Sequence, residues 1–161
     1  MIDKTQLESL IVRVTTDIGL CSEAATQLLL GTAAQESQMG TYLRQLGGGP
    51  ALGIFQMEPA THDDIWGNYL AYHGELKKKV ERYVSWRSIG GSCSDCAEEL
   101  EWNLAYAVAM ARVHYQRVPQ PLPSPEDLAG LAGYWKSFYN TPAGKGTVGE
   151  FLENYRRYVS A

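Results

Sequence analysis

The sequence has no excess of basic charge and no long apolar run. Its 161 residues include 14 Lys and Arg against 18 Asp and Glu, for a formal net charge of -4, so a phosphate-binding nucleic-acid surface is not expected. The longest apolar-rich stretch, roughly 102–113, contains Asn103 and Arg112 and is shorter than the about 20 residues that a membrane-spanning helix needs. We therefore expect neither nucleic-acid binding nor stable membrane insertion.

The first residues, MIDKTQLESL, also lack the pattern of a secretory signal peptide, which is a basic segment followed by an apolar one. Hydrophobic residues make up 45% and charged residues 20% of the chain, a composition typical of soluble globular proteins. The length fits one domain, residues 1–161. We expect a single-domain protein that is made in the cytoplasm without a signal peptide.

Cysteine is scarce, and Cys21, Cys93 and Cys96 are too few for a disulfide framework. Cys93 and Cys96 form a CxxC pair in CSDC, but no second Cys or His pair follows at zinc-finger spacing, and the histidines are scattered. No metal site and no cofactor is expected. Two ordinary thiols are favoured over a local disulfide between Cys93 and Cys96 that forms only after export.

Helical patterns extend over nearly the whole chain and predict an all-α fold. Asp3 is positioned to cap a first helix, and Ser22 a second that runs to Met39 and is closed by Gly40 in a left-handed conformation. The glycine-rich residues 41–58 predict an ordered loop with short strand-like pieces.

Five more helical segments are predicted after this loop, with Gly74 as a break between the first two. Thr61 begins the first of them, and Ser124 and Thr147 open the last two with capping-box patterns. The predicted ranges are 61–72, 75–84, 97–118, 125–139 and 148–159.

Glu36 continues an apolar stripe on the second helix. It lies in AAQESQMG and follows Ala25, Leu29 and Thr32 at helical spacing, so that all four share one face. Burial on that face and the C-terminal end of the helix dipole would both raise the pKa of its carboxyl. An acid with a pKa near ~6 suits protonation of a leaving-group oxygen. The alternative is an exposed glutamate in the last helical turn, and periodicity does not decide between the two.

The segment that follows resembles the signature of the lytic transglycosylases. Glu36 and Ser37 match the Glu-Ser pair that ends a helix in that family. GIFQMEPAT, residues 53–61, resembles the family's Gly-Leu-Met-Gln stretch and its following Pro-x-Thr, with Ile54 and Phe55 in place of Leu and Met.

Two later segments match the same family in the right order. EWNLAYAVAMARVHYQRV resembles the central helix of the family, with Asn103 at the matching position. FYNTPAGKGTV resembles a late Tyr-Asn-x-Gly motif: Tyr139 and Asn140 match, and Gly144 follows after an inserted Thr-Pro. The resemblance spans roughly 22–147.

This resemblance implies a small phage-type member of the goose-type-lysozyme-like superfamily that cleaves the β-1,4 bond between N-acetylmuramic acid and N-acetylglucosamine in peptidoglycan. Glu36 would protonate the glycosidic oxygen and then deprotonate the muramoyl 6-hydroxyl, giving a 1,6-anhydro product. Ser37 would orient that carboxyl or a peptide stem. Further implied substrate-binding residues are Phe55, Gln56, Tyr139 and Asn140.

Two alternatives to a transglycosylase remain open. A hydrolytic muramidase, or lysozyme, would use a second carboxylate, and the candidates are Glu58, Asp63 and Asp64. A non-catalytic wall-binding or virion structural protein is the other alternative. In each case the expected partner is the peptidoglycan glycan strand, at the bacterial cell wall. Access to the wall would need a holin-type membrane-permeabilising protein or incorporation into a virion.

Overall fold

The computed structural model describes residues 1–85 and 96–160, and within these ranges the chain is all-α, as predicted. Eight α-helices occur there, together with a 3-10 turn at Leu70–Tyr72 and a π-helical segment at Lys136–Asn140. The helices are α1 (Lys4–Asp17), α2 (Glu23–Ser37), α3 (Pro59–Asn68), α4 (Gly74–Glu81), α5 (Glu99–Trp102), α6 (Leu104–Gln116), α7 (Leu128–Trp135) and α8 (Val148–Tyr158).

The first two helices begin at the predicted capping residues. The Asp3 carboxylate accepts a hydrogen bond from the backbone N–H of Gln6 at 3.1 Å, and the Ser22 hydroxyl accepts one from the N–H of Ala25 at 3.1 Å. Each cap satisfies an N–H that lacks an intrahelical partner. These two predictions are confirmed.

The end of α2 differs from its prediction. The helix stops at Ser37, before the predicted Met39, because the backbone already turns left-handed at Gln38 and Met39, with φ of 51° and 58°. Gly40 follows with φ of 77°. The sequence-based expectation located the left-handed glycine correctly and missed the two non-glycine residues that precede it in the same conformation.

The predicted central helix, 97–118, is interrupted at Asn103. This residue has φ -94° and ψ 89°, and its side-chain oxygen accepts from the N–H of Tyr106 at 3.1 Å. Its side-chain nitrogen donates to the carbonyl of Tyr83 at 2.7 Å and to the carboxylate of Glu99 at 2.8 Å. Asn103 is thus the N-cap of α6, and the prediction of one continuous helix is wrong.

The last two helices test two predicted capping boxes. Thr147 and Glu150 form the reciprocal box at the start of α8, as predicted. The box predicted for Ser124 is wrong, because its hydroxyl donates to the carboxylate of Glu126. Asp127 caps α7 instead, by accepting from the N–H of Gly130 at 2.8 Å.

The predicted starts of the two helices after the glycine-rich loop are each slightly late. The helix expected from Thr61 begins at Pro59, a residue whose fixed φ suits the first helical turn. Gly74, the expected break, is the first residue of α4.

The glycine-rich loop forms isolated antiparallel bridges, Arg44 to Leu52 and Leu52 to Met57, and these are the only counterpart of the predicted strand-like pieces within the described ranges. The loop approaches α5 closely at Gly53. A Cβ atom there would lie 1.9 Å from the Leu100 carbonyl oxygen, and φ is 78°. Only glycine fits this conformation without displacing α5.

The core is one cluster of buried side chains built around α2. This helix packs against α1, α6, α7 and α8. The largest fully buried side chains are aromatic: Trp135, Tyr106, Tyr115, Phe55 and Phe151. In this arrangement, the C-terminal end of α2 lies against the glycine-rich loop, and Glu36 is carried there.

Cys96 is buried and Cys21 is exposed, but Cys93 lies outside the described residues, so the CxxC pair is not described. Of the helices in the described ranges, none combines the length and apolar character needed to cross a membrane.

Candidate active site

Glu36 lies where the buried stripe of α2 meets a cleft of about 860 Å³. Ala25, Leu29 and Thr32 are at most 1% exposed, and Glu36, one turn further, is half-buried with its side chain lining the cleft. The interpretation of Glu36 as an exposed residue of the last helical turn is therefore wrong. The helical spacing in the sequence identified the shared face, and the structure decides that this face is buried up to Glu36.

Besides Glu36, four segments of the chain line the cleft. The glycine-rich loop contributes one wall, and the start of α3, the end of α6 and the 138–146 segment contribute the others. The lining residues outside Glu36 are Tyr42, Gln45, Leu46, Ala51, Gln56, Met57, Glu58, Thr61, His114, Arg117, Phe138, Tyr139, Asn140, Thr141, Ala143, Gly144, Lys145 and Gly146.

The carboxyl of Glu36 is tuned by burial and by one hydrogen bond. Burial raises its pKa from an ordinary 4.5 to about 7, because loss of solvent disfavours the charged form. The indole N–H of Trp135 donates to Oε1 at 2.8 Å and acts in the opposite direction. Burial is the larger effect. Near neutral pH both protonation states are populated, so this carboxyl is able to give and to take a proton.

Trp135 is a site residue that the sequence analysis did not identify. It is fully buried at the end of α7 and packs against Phe151 with ring centroids 5.3 Å apart. Its contact with Glu36 joins residues 99 positions apart. No local spacing in the sequence links the two residues, and the close packing of α7 on α2 brings them together.

Ser37 does not face the cleft. It is fully buried, its hydroxyl donates to the carbonyl of Ile54 at 2.6 Å, and its oxygen accepts from the N–H of Gly40 at 2.8 Å. The expected contact with the Glu36 carboxyl or with a peptide stem is therefore wrong. Ser37 fixes the end of α2 to the turn that follows Gly53, which makes it a positioning residue.

Phe55 and Gln56 occupy opposite sides of that turn. The Phe55 side chain is 1% exposed and points into the core, so the predicted substrate contact of this side chain is wrong. Gln56 lines the cleft with φ 45°, and its side-chain N–H donates to the carbonyl of Gly53 at 2.9 Å. The turn thus presents Gln56 to the cleft and buries its neighbour.

Tyr139 joins the π-helical segment to the same turn. Its hydroxyl donates to the Phe55 carbonyl at 2.8 Å, and its ring lies edge-on to His114 at 4.7 Å. Tyr139 lines the same cleft as Glu36. Since the hydroxyl proton is engaged by Phe55, Tyr139 offers a ligand its ring and the oxygen of its hydroxyl as an acceptor, but no donor.

Asn140 and Gly144, the two remaining residues of the late motif, lie together at the cleft wall. The ammonium of Lys136 donates to the Asn140 side-chain oxygen and to the Gly144 carbonyl, at 2.7 Å each. A Cβ atom on Gly144 would lie 2.4 Å from the Asn140 carbonyl oxygen. The structure therefore brings these residues together, whereas Asn103 lies at the helix break and does not line the cleft.

The three candidate second carboxylates have different environments. Glu58 is exposed and lines the cleft. Asp63 pairs with the His62 ring at 2.8 Å, and Asp64 pairs with Arg117 at 2.5 Å; neither aspartate lines the cleft. Among the described residues, Glu58 is the carboxylate that shares the cleft with Glu36.

His114 and Arg117 form a polar pair at the end of α6 that the sequence analysis also missed. Burial, followed by the charge of Arg117, lowers the pKa of His114 to about 3, so its ring is neutral at physiological pH. Its Nδ1 is within hydrogen-bond distance of the Arg117 Nη2, at 2.9 Å, and a neutral imidazole accepts this bond. Both residues line the cleft.

Comparison of the chain with protein-family models, with curated proteins and with solved structures finds no match. Within residues 1–85 and 96–160, no group of three or more His, Cys, Asp and Glu side chains is arranged to hold a metal ion.

Proposed function

We propose that the protein cleaves the β-1,4 bond between N-acetylmuramic acid and N-acetylglucosamine in peptidoglycan, as a lytic transglycosylase with Glu36 as its general acid and base. The observation that carries this proposal is a half-buried carboxyl in a large cleft, with its pKa raised to about 7. The cleft volume of about 860 Å³ is in the range of ligand-binding clefts, ~300–1,000 Å³. The resemblance of Glu36, the 53–61 segment and Tyr139 to the lytic transglycosylase motifs supports the same reaction.

The proposed reaction needs one proton to leave Glu36 and one to return. The protonated carboxyl gives its proton to the glycosidic oxygen as the bond from C1 to that oxygen breaks. The resulting carboxylate takes the proton of the muramoyl 6-hydroxyl as O6 bonds to C1. The product is a 1,6-anhydro sugar, and no water is consumed.

The surrounding residues would hold the glycan and exclude water. Gln56 and Asn140 offer side-chain amides to sugar hydroxyls and acetamido groups, and the ring of Tyr139 offers an apolar face. Trp135 keeps the Glu36 carboxyl pointed at the cleft through the bond at 2.8 Å. These residues would orient the glycosidic oxygen within reach of Glu36.

Hydrolysis is a second candidate because Glu58 lines the same cleft. A muramidase would use this second carboxylate to activate or replace water. Removal of the Glu58 carboxyl would then abolish cleavage, whereas a single-glutamate transglycosylase would lose little.

The test is to incubate the purified protein with peptidoglycan and to identify the new sugar ends by mass spectrometry. Anhydro-muramic ends support transglycosylation, and reducing ends support hydrolysis. Glu36→Gln should lower the rate by about 10²–10⁴-fold, while Glu153→Gln, at an exposed position of α8, should not. Full activity of Glu36→Gln would refute the role of Glu36. Wall binding with no product from any wall type would instead favour a structural wall-binding protein, with access through a holin-type or virion partner.

A further inference from the structure

Arg117 is a cation built into the wall of the cleft. It follows α6, its side chain is 23% exposed, and it lines the same space as Glu36. Of the described residues that line the cleft, only Arg117 and Lys145 carry a positive charge, because His114 is neutral. Lys145 lies on a loop, whereas Arg117 is held by contacts from two helices.

Two contacts fix the orientation of the Arg117 guanidinium. Nη1 donates to the Asp64 carboxylate of α3 at 2.5 Å, and Nη2 donates to Nδ1 of His114 in α6 at 2.9 Å. His114 in turn packs edge-on against the Tyr139 ring, with the ring centroids 4.7 Å apart. A guanidinium has five N–H donors, so these contacts position the group and leave donors for a ligand.

The contribution of the Arg117–Asp64 pair to stability is small. Asp64 is 49% exposed on its side chain, and such surface ion pairs contribute only ~0–1 kcal/mol to stability. The partially buried cation is therefore stabilised little by that pair, while its second partner, His114, brings no negative charge. An anion that enters the cleft would add a second counter-charge beside Asp64 and would bind through the remaining N–H donors in pairs, as guanidinium–carboxylate contacts do.

The sugar rings of peptidoglycan are neutral, but muramic acid carries a lactyl group. Its carboxylate is either free or linked to a stem peptide that bears carboxylates of its own. We propose that Arg117 binds a carboxylate carried by the muramic acid residue of the substrate, so that the cleft selects muramic-acid-containing glycan over neutral chitin-type glycan. This inference rests on the proposed function and assigns a residue that determines its specificity.

The test measures binding by calorimetry, so that it does not depend on cleavage. Protein with Glu36→Gln is titrated with three tetrasaccharides: neutral chitotetraose, a peptide-free muramic glycan with lactyl carboxylates, and a glycan with stem peptides. Adding Arg117→Gln should weaken binding of carboxylate-bearing ligand by about tenfold or more and change chitotetraose binding by less than about twofold. A loss confined to the stem-peptide ligand assigns the stem carboxylate, and a loss with the peptide-free glycan assigns the lactyl carboxylate.

Two further variants separate charge from fold. Arg117→Lys keeps the charge but lacks the paired donors and should give an intermediate loss, which also covers the case in which Arg117→Gln does not fold. Arg156→Gln, at an exposed position of α8, should bind like the parent.

Equal affinity of the parent and both Arg117 variants for all three ligands would overturn the inference, as would an equal loss for chitotetraose or no binding of a carboxylate-bearing glycan. Arg117-dependent binding by a protein that cleaves no peptidoglycan would refute the proposed function and leave this inference standing. If the protein cleaves peptidoglycan and Arg117 substitution changes neither cleavage nor the affinities, the proposed function would stand and this inference would be refuted.

Discussion

Glu36 should make the folded protein less stable at alkaline pH, and Glu36→Gln should remove this effect. Folding raises the pKa of the carboxyl from 4.5 to about 7, so the unfolded chain releases this proton more readily than the folded protein does. Below the pKa of the unfolded chain, Glu36 is protonated in both the folded and the unfolded state and does not affect the free energy of unfolding. As the pH rises from 4.5 through about 7, ionisation increasingly favours the unfolded chain.

The size of the effect follows from the same displacement of the pKa. At a pH above both the unfolded and the folded pKa of Glu36, the displacement lowers the free energy of unfolding by roughly 3 kcal/mol. Because the carboxylate is only half-buried, solvent screening reduces this, and we expect about 2 kcal/mol. Glutamine has nearly the same shape and retains an oxygen for the Trp135 indole, so the substitution mainly removes the ionisation.

Urea unfolding of the parent and of Glu36→Gln, at about pH 4 and about pH 8.5, measures this directly. The substitution should raise the free energy of unfolding by about 2 kcal/mol more at the higher pH than at the lower one. Glu153→Gln, at an exposed position of α8, should change it by less than about 0.5 kcal/mol at either pH. A stability difference between Glu36→Gln and the parent that is the same at both pH values would refute the buried-acid interpretation.

Two other substitutions test the surroundings of this carboxyl. Trp135→Phe removes the N–H that lowers the pKa of Glu36, so the carboxyl should titrate above about 7 in carbon-detected NMR; Trp66→Phe, which removes another buried indole, should leave that titration in place. A titration unchanged by Trp135→Phe would show that the bond has no electrostatic effect. Gly53→Ala should destabilise the protein by at least about 2 kcal/mol in urea unfolding, because the added Cβ would lie 1.9 Å from a carbonyl oxygen at a φ of 78°. Gly48 also has a positive φ, but a Cβ atom there would meet nothing within 4 Å, so Gly48→Ala should cost only about 1 kcal/mol. Equal losses of stability for the two substitutions would argue against the close approach at Gly53.

Helix starts could be predicted where one side chain decides them locally. Asp3, Ser22 and Thr147 each cap the helix that the sequence assigned to them, since the cap and the N–H it satisfies are three residues apart. Asn103 was misread because an apolar pattern continues on both sides of it. Asn103 caps Tyr106 locally, but its side chain is also held by the carbonyl of Tyr83, 20 positions away, and apolar periodicity does not contain that contact.

In the candidate site, too, local features could be predicted from the sequence and long-range contacts could not. Helical spacing placed Glu36 on the face of Ala25, Leu29 and Thr32 but left its burial open, and the packing of α2 in the folded protein decides it. Trp135 is 99 positions from Glu36, and Arg117 is 53 positions from Asp64, so these contacts exist only once α7, α6 and α3 pack. The inward orientation of Phe55 depends on the positive φ of its neighbour Gln56. A positive φ at a non-glycine residue is not predictable from the sequence pattern.

The adjacent residues Glu36 and Ser37 have different roles at the end of α2: Glu36 lines the cleft, and Ser37 is buried and anchors the helix end. Successive helical side chains point about 100° apart, so when one is anchored inward, the other is directed sideways into the cleft. Ser37 is anchored to Ile54 and Gly40, and Trp135 restrains the carboxyl from α7. The raised pKa of Glu36 is therefore a property of the packed helices and is absent from the isolated segment. Any substitution that loosens the Ser37 anchor should let water reach the carboxyl and lower its pKa, which would weaken Glu36 as an acid even though it remains in the chain.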